Sequence, residues 1–232
     1  MASTGTFLFH PELAELVDEA FEQAGVDPAQ LDIRHLKSAA RSAELMMGSW
    51  FVRGWNQWRI EHDTVTVLED ATSFQLPIGG WDIFHAMVSI PGTDSEVQLH
   101  AISRSDYSGL NNKTLKGRPD RYFVDRNGFL GPDPRSTANL YLIPDRTYQI
   151  KYWYIRRSED IGTLRSNTLD LPWHWNEPFA VGLAARLAKK YRPERFDRLY
   201  AEAEQLFDRA MDAERELADL TIKISAAGSR RR

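Results

Sequence analysis

The 232-residue sequence predicts an α+β protein: helix pairs from the two chain ends form one helical bundle, and the middle forms an inserted antiparallel β-sandwich or barrel-like domain. Apolar residues recur at helical spacing near both ends and alternate with polar residues in the middle, where turn-forming clusters are frequent. The predicted boundaries are 1–59 and 170–221 for the discontinuous bundle, 60–169 for the β domain and 222–232 for an extended C-terminal tail.

Two helices are predicted at the start of the chain. The first begins at Pro11, follows the spacing of a helix that buries one face, and ends at Gly25. Asp27-Pro28 restarts the chain, and a longer helical pattern continues towards Trp55 and Trp58. The apolar positions are Leu13, Leu16, Val17, Ala20, Phe21 and Ala24 in the first helix, and Leu36, Ala40, Ala43, Met47, Trp50 and Phe51 in the second.

After Arg59 the apolar period changes to two, which predicts strands. The first predicted strand contains Val65 and Val67, and the others are 73–76, 83–90, 97–102, 121–125, 139–143 and 148–155. The last four residues of the final strand are all apolar, which predicts that both faces of its end are covered. Short strands separated by frequent turns are typical of a small sandwich or barrel.

Two further helices are predicted at the end of the chain. The third follows Leu171-Pro172 and ends near Tyr191. Pro193 suits the first turn of the fourth helix, which has an apolar stripe opposite a charged face. That stripe consists of Phe196, Leu199, Tyr200, Ala203, Leu206, Phe207, Ala210 and Leu217.

Composition excludes several functional classes. The absence of cysteine excludes disulfides, thiolate zinc sites, iron–sulfur clusters and cysteine nucleophiles. A formal net charge of −4 disfavours a conventional DNA-binding domain, since there is no excess of positive charge to neutralise phosphates. No signal peptide or membrane span is visible, so a cytoplasmic protein without a membrane partner is expected. No histidine pair has metal-binding spacing among His10, His35, His62, His85, His100 and His174.

The remaining motifs do not predict catalysis. His62-Asp63, and Asp106 with Ser105 and Ser108, lack the nucleophile elbow of a hydrolase, so turn capping is the simpler interpretation. Gly79-Gly80 lacks the lysine and hydroxyl of a phosphate-binding loop. The sequence therefore predicts a non-enzymatic protein without a catalytic residue, metal or cofactor.

Two alternative functions stay open. A virion-associated peptidoglycan hydrolase would use carboxylates of the fourth helix, although neighbouring arginines favour a solvated, ion-paired face. A nucleic-acid-binding module would stack bases on tryptophans, most of which are expected in the core. The carboxylates are Glu202, Glu204, Asp208, Asp212, Glu214, Glu216 and Asp219, and the tryptophans are Trp50, Trp55, Trp58, Trp173 and Trp175.

Motifs spread over nearly the whole chain resemble those of phage head-to-tail adaptor (connector) proteins, the family that includes tail tubular protein A of short-tailed phages. The resemblance lies in order and spacing rather than in a catalytic fingerprint. The motifs are Arg41, Trp50 and Gly54-Trp55-Asn56-Gln57-Trp58, then Ser103-Arg104-Ser105-Asp106-Tyr107, Gly117-Arg118-Pro119, Tyr152-Trp153-Tyr154, Leu171-Pro172 and Leu187-Ala188-Lys189-Lys190-Tyr191. The last eight residues, 225–232, match no pattern of the family.

The resemblance implies a homo-oligomeric ring of about twelve copies at the head–tail junction of the virion, assembled in the host cytoplasm. Its expected partners are the portal protein, a downstream tail or nozzle protein, and double-stranded DNA that passes without sequence-specific binding. These expectations come from the resemblance and not from composition or periodicity.

The C-terminal segment is the predicted portal-binding site. It alternates β-branched and polar residues but is too short to form a sheet alone, so it requires a partner strand. We hypothesise that it adds to the portal as a strand or clamp, with its terminal arginines on an acidic portal surface. The alternative is a frayed terminus. The predicted portal-binding residues are Thr221, Ile222, Lys223, Ile224, Ser225, Arg230, Arg231 and Arg232.

Overall fold

Five α-helices and a large, nearly closed, barrel-like sheet make up the described part of the chain. The structure is a computed structural model that describes residues 11–54, 57–93, 95–130, 133–162 and 169–214. The helices are α1 (Leu13–Ala24), α2 (Ile33–Arg53), α3 (Arg104–Gly109), α4 (Asn176–Tyr191) and α5 (Phe196–Ala213). The strands are β1 (Ile60–Val67), β2 (Ser73–Gln75), β3 (Gly80–Ser89), β4 (Glu96–Ala101), β5 (Lys116–Gly117), β6 (Arg121–Asp125), β7 (Thr137–Tyr141), β8 (Ile143–Pro144) and β9 (Tyr148–Arg156).

The predicted helix ends follow from local capping. Gly25 ends α1 in the left-handed conformation, with a φ of 80°, and its N–H donates to Glu22 O and Phe21 O. Asp32 begins α2 by accepting hydrogen bonds from the backbone N–H groups of Arg34 and His35, at 2.8 and 2.9 Å. Trp58, predicted near the end of the second helix, lies in a short 3-10 turn after it.

The sheet has the strand order β1-β9-β3-β4-β6-β7-β2. Each of the seven predicted strand runs overlaps one of its strands, so their approximate positions are confirmed. The antiparallel prediction is wrong for two pairs, because β4 pairs with β6 in parallel and β5 pairs with β8 in parallel. Between β4 and β6 the chain passes through α3 and β5, and such a crossover is what parallel pairing requires.

Two separate hydrophobic clusters fill the interior of the described part. The first combines side chains of α1, α2, α4 and α5 with Ile161, Leu171 and Trp175. The second consists of sheet residues such as Val88, Ile150 and Tyr152. Burial of apolar area in each cluster is therefore the main term that stabilises its own layer. No helix in the described ranges is long and apolar enough to cross a membrane.

The prediction that both faces are covered at the end of β9 is confirmed only in part. Tyr154 and Ile155 are buried on opposite faces of the strand. Trp153, on the same face as Ile155, is 38% exposed and lies between the rings of His62 and His85, with centroid distances of 5.0 and 5.6 Å.

A buried arginine, Arg59, lies between the end of α2 and the start of β1. Arg59 is 1% exposed, and its Nη2 donates to Gly54 O at 2.9 Å. Burial lowers the pKa of Arg59 to about 10, and the nearby carboxylates of Glu214 and Asp170 partly oppose that effect. The junction therefore contains positive charge that the surrounding acidic groups compensate.

Candidate interaction surfaces

Glu214, the last described residue after α5, contacts residues of two other turns. Its Oε1 lies 3.2 Å from His174 Nε2 and accepts the indole N–H of Trp175, while its Oε2 accepts the backbone N–H of Gln57 at 3.0 Å. The side chain of Glu214 is only 8% exposed. The end of α5 is thus tied both to the turn before α4 and to the turn after α2.

The predicted portal-binding residues lie beyond this point, outside the described residues. The structure therefore gives no account of them. They are Thr221, Ile222, Lys223, Ile224, Ser225, Arg230, Arg231 and Arg232.

A group of cations lies on the outer side of α2 and α4. It consists of Arg34, Lys37, Arg41, Arg186, Lys189 and Lys190, and we call it the basic face. Within the described ranges none of these six cations lies within 4.0 Å of a carboxylate. Arginines elsewhere, such as Arg104, Arg126 and Arg156, each have a carboxylate partner. The basic face therefore has no ion-pair partner among the described residues.

Hydroxyl groups of α2 orient the cations of α4 on this face. Lys190 Nζ donates to Ser38 Oγ at 2.9 Å and to Ser42 Oγ at 2.5 Å, and Arg186 Nη2 donates to Ser49 Oγ at 3.1 Å. Partial burial lowers the pKa of Lys190, and repulsion from Arg41 and Arg186 lowers it further. Burial also lowers the pKa of Arg186. A negative group bound here would relieve the mutual repulsion of these cations.

An apolar stripe continues the basic face along α2. Leu45 is 67% exposed and Val52 is 79% exposed, although both are large apolar side chains. They follow Arg41 at helical spacing, and Gly48 between them has open space around it. The outer face of α2 is thus basic in its first half and apolar in its second.

The exposed side of α1 has the opposite charge. Its carboxylates are Glu12, Glu15, Asp18, Glu19 and Glu22, which we call the acidic face. None of them forms an ion pair with another described residue. A cavity of about 910 Å³ between α1, α4 and α5 adjoins this face and includes Glu15, Glu19 and Trp173 in its lining. Trp173 is 72% exposed, so the acidic face also has an apolar neighbour.

Several of the carboxylates considered for hydrolysis have structural partners. Glu204 accepts two hydrogen bonds from Arg53, at 2.9 and 2.8 Å, and Asp208 lies 3.7 Å from the same guanidinium. Glu214 is engaged as described above. Glu204 and Asp208 are thus ion-paired, but with Arg53 of α2 rather than with the neighbouring arginines of α5 that the sequence favours. Glu216 and Asp219 lie outside the described residues.

The tryptophans divide between core and surface. Trp50 and Trp175 are buried against Phe207, with ring centroids 5.2 to 5.4 Å apart in the three pairs, so their predicted core position is confirmed. Trp173 is exposed instead, because the 3-10 turn Trp173–Trp175 directs the two indoles to different sides. Trp55 lies outside the described residues. The tryptophans therefore do not form one stacking platform in the described part.

The polar groups considered for catalysis have separate local roles. Ser103, rather than the predicted Ser105 or Ser108, caps α3 by accepting a hydrogen bond from the backbone N–H of Asp106. Asp63 accepts a hydrogen bond from the hydroxyl of Tyr152 at 2.9 Å, while the ring of His62 packs on Trp153. No cluster of three or more residues in the described ranges could hold a metal ion.

Sequence reasoning did not identify the basic and acidic faces. The available signals were the helical spacing of Arg34, Lys37 and Arg41, and the lack of lysine or arginine from residue 11 to residue 27. No protein-family model and no curated protein matches the chain.

Proposed function

We propose that the chain is a structural, non-enzymatic subunit of a phage head-to-tail adaptor that forms a ring of about twelve copies beneath the portal. The ring joins the capsid to the tail at the head–tail junction, continues the DNA channel, and contacts a downstream tail or nozzle protein. The observation that carries the proposal is the anchored end of α5, where Glu214, seven residues before Thr221 in the sequence, contacts Gln57, His174 and Trp175. Together with the motif resemblance, this supports a segment that leaves a rigid body to bind another protein.

The proposed architecture is a helical bundle of residues 1–59 and 170–221 with the β domain of residues 60–169 inserted. It is supported by the first hydrophobic cluster, in which helices from both chain ends contribute side chains. An inserted domain of this kind leaves the bundle and the sheet free to contact different partners.

The proposed portal contact is made by the C-terminal segment. Ile222 and Ile224 enter pockets on the portal, and Arg230, Arg231 and Arg232 pair with acidic portal groups. The alternating residues 221–225 supply backbone donors and acceptors for strand addition.

The test compares the full chain with a variant that lacks residues 221–232 in attachment to purified portal. We expect the truncated variant to lose attachment, with an unchanged circular dichroism spectrum and melting temperature because the deletion begins after Glu214. The triple variant R230A/R231A/R232A should show weaker attachment that depends less on salt. Undiminished attachment of the truncated variant contradicts the proposed contact.

Nucleic-acid binding is the second candidate, and the basic face favours it because phosphates could neutralise its cations. The net charge of −4, and the lack of a tryptophan platform among the described residues, favour the adaptor instead. Titration with duplex and single-stranded DNA at about 0.15 M salt separates the two, because only a binding module retains affinity there. Cell-wall zymograms test the hydrolase alternative directly.

A further inference from the structure

We infer that the basic face of α2 and α4 binds the acidic face of α1 in a second copy of this chain. The inference rests on the proposed ring, for which it names the contact between neighbouring subunits. Its first support is that the two faces have opposite charge and that, among the described residues, neither face forms an ion pair within its own subunit. Six cations and five carboxylates would meet, so the numbers of charges on the two faces nearly match.

The two faces also match in shape. Arg34, Lys37 and Arg41 are spaced by three and four residues, and so are Glu12, Glu15, Glu19 and Glu22. Each set forms one straight stripe along its helix. At about 1.5 Å per residue, the basic stripe of α2 is roughly 10 Å long and the acidic stripe of α1 roughly 15 Å, so one can lie along the other.

Each of the two stripes also has apolar neighbours. Leu45 and Val52 extend the basic stripe towards the end of α2. Trp173 lines the same cavity as Glu15 and Glu19 of α1. If Arg41 faces Glu15 of the second copy and Arg34 faces its Glu22, Leu45 and Val52 approach its Trp173. The two helices then run antiparallel, and the contact buries apolar area as well as charge.

The contact is heterologous, because it joins two different faces of the same chain. After one copy has bound another, the pair still has one unused basic face and one unused acidic face. Such contacts continue until a ring closes or a filament grows, and they do not stop at a dimer. In the ring, the cations of the basic face lie between subunits, so the passing DNA does not meet them.

The experiment reverses the charge of each face in the full chain. R34E/K37E/R41E alters the basic face, and D18K/E19K/E22K alters the acidic face while leaving the capping box of Glu12 and Glu15 intact. All six side chains are exposed, so the fold should be retained. K113E/R118E/R146E is the matched control, since it reverses three exposed cations outside both faces.

Self-association is measured by sedimentation and mass photometry, alone and with purified portal, at low and high salt. We expect each reversed variant to associate at least about tenfold more weakly than the wild type and the control, and wild-type association to weaken at about 1 M salt. An equimolar mixture of the two reversed variants should associate again as an alternating assembly, because each altered face then meets its complement.

Three outcomes overturn the inference: association of the reversed variants like the wild type, failure of the mixture to recover, or a wild-type chain that stays monomeric with and without portal. A fourth is loss of DNA binding by R34E/K37E/R41E with intact assembly, since the basic face would then bind nucleic acid. Charge-dependent assembly without portal attachment would contradict the proposed function and leave this contact supported. Attachment of single copies to the portal would support the proposed function and contradict this contact between copies.

Discussion

Arg156 in β9 holds the carboxylate of Asp170, fourteen residues later in the chain, through two hydrogen bonds. Arg156 Nη2 donates to Asp170 Oδ1 at 2.8 Å and Nη1 donates to Oδ2, while Nε donates to Glu61 of β1 at 2.6 Å. These hydrogen bonds raise the pKa of Arg156. One guanidinium therefore connects two strands of the sheet to the segment that leads into α4.

Asp170→Asn should destabilise the protein, because it removes the charge that pairs with a largely buried arginine. We expect a loss of about 1.5–3 kcal/mol in the free energy of unfolding, as for other hydrogen bonds to charged groups. Asp133→Asn is the matched control, because Asp133 pairs with Arg135 only at the surface and should contribute less than about 1 kcal/mol. Urea unfolding measures the free energy of unfolding of both variants. Equal losses would show that the Arg156–Asp170 pair stabilises the protein no more than the surface pair of Asp133 and Arg135.

The same carboxylate predicts how stability depends on pH. Burial raises the pKa of Asp170, but the hydrogen bonds from Arg156 and from the backbone N–H of Glu159 outweigh that effect, and the net shift is downward. A carboxylate with a lowered folded pKa stabilises the protein above its unfolded pKa of about 3.9, and the stabilisation is lost as pH falls through the folded pKa.

The stability difference between wild type and Asp170→Asn should therefore be full near pH 7 and shrink below about pH 4. Urea midpoints measured at both pH values test this. A difference that stays constant to about pH 2 would mean that the Asp170 charge does not supply the stabilisation.

Much of the fold was predictable because it depends on local periodicity. The stop of α1 at Gly25, the four long helices and the positions of seven strands all follow from residue spacing. The short helix α3 has no apolar stripe, and the parallel pair of β4 and β6 depends on which strands meet in space. Local residue spacing therefore predicts neither the helix α3 nor the parallel pairing of β4 with β6.

The candidate surfaces were predictable to a smaller extent. The sequence shows a helix rich in carboxylates and another that begins with three spaced cations. Whether those charges find partners depends on the tertiary structure: Arg53 meets Glu204 across 151 residues, whereas Arg41 meets no carboxylate in the described ranges. Exposure of Leu45 and Val52 likewise becomes visible only after the helices have packed.

Gly25→Ala should destabilise the end of α1. The backbone there has a φ of 80°, and an added Cβ would lie 2.6 Å from Cζ of Arg195, which donates to the carbonyl of Gln23. We expect a loss of about 1–3 kcal/mol, since the strain and the displaced guanidinium add. Gly48→Ala is the control, because Gly48 lies inside α2 with nothing within 4 Å, and alanine should raise stability by about 0.5–1 kcal/mol. Thermal unfolding at low protein concentration measures both, and a neutral Gly25→Ala would contradict the expectation.

A double-mutant cycle tests whether α2 and α5 share one core. Trp50 and Phe207 are buried with ring centroids 5.4 Å apart, and both rings also contact Trp175. Trp50→Leu and Phe207→Leu should each destabilise the protein, and their coupling energy should be about 0.5–1.5 kcal/mol, as for other aromatic pairs.

The control cycle pairs Trp50→Leu with Phe74→Leu in the sheet cluster, where the effects should add within about 0.5 kcal/mol because the residues belong to different clusters. Urea unfolding of the single and double variants supplies both coupling energies. Strict additivity between Trp50 and Phe207 would mean that the first and last parts of the chain do not stabilise each other, and the proposed discontinuous bundle would lose its energetic basis.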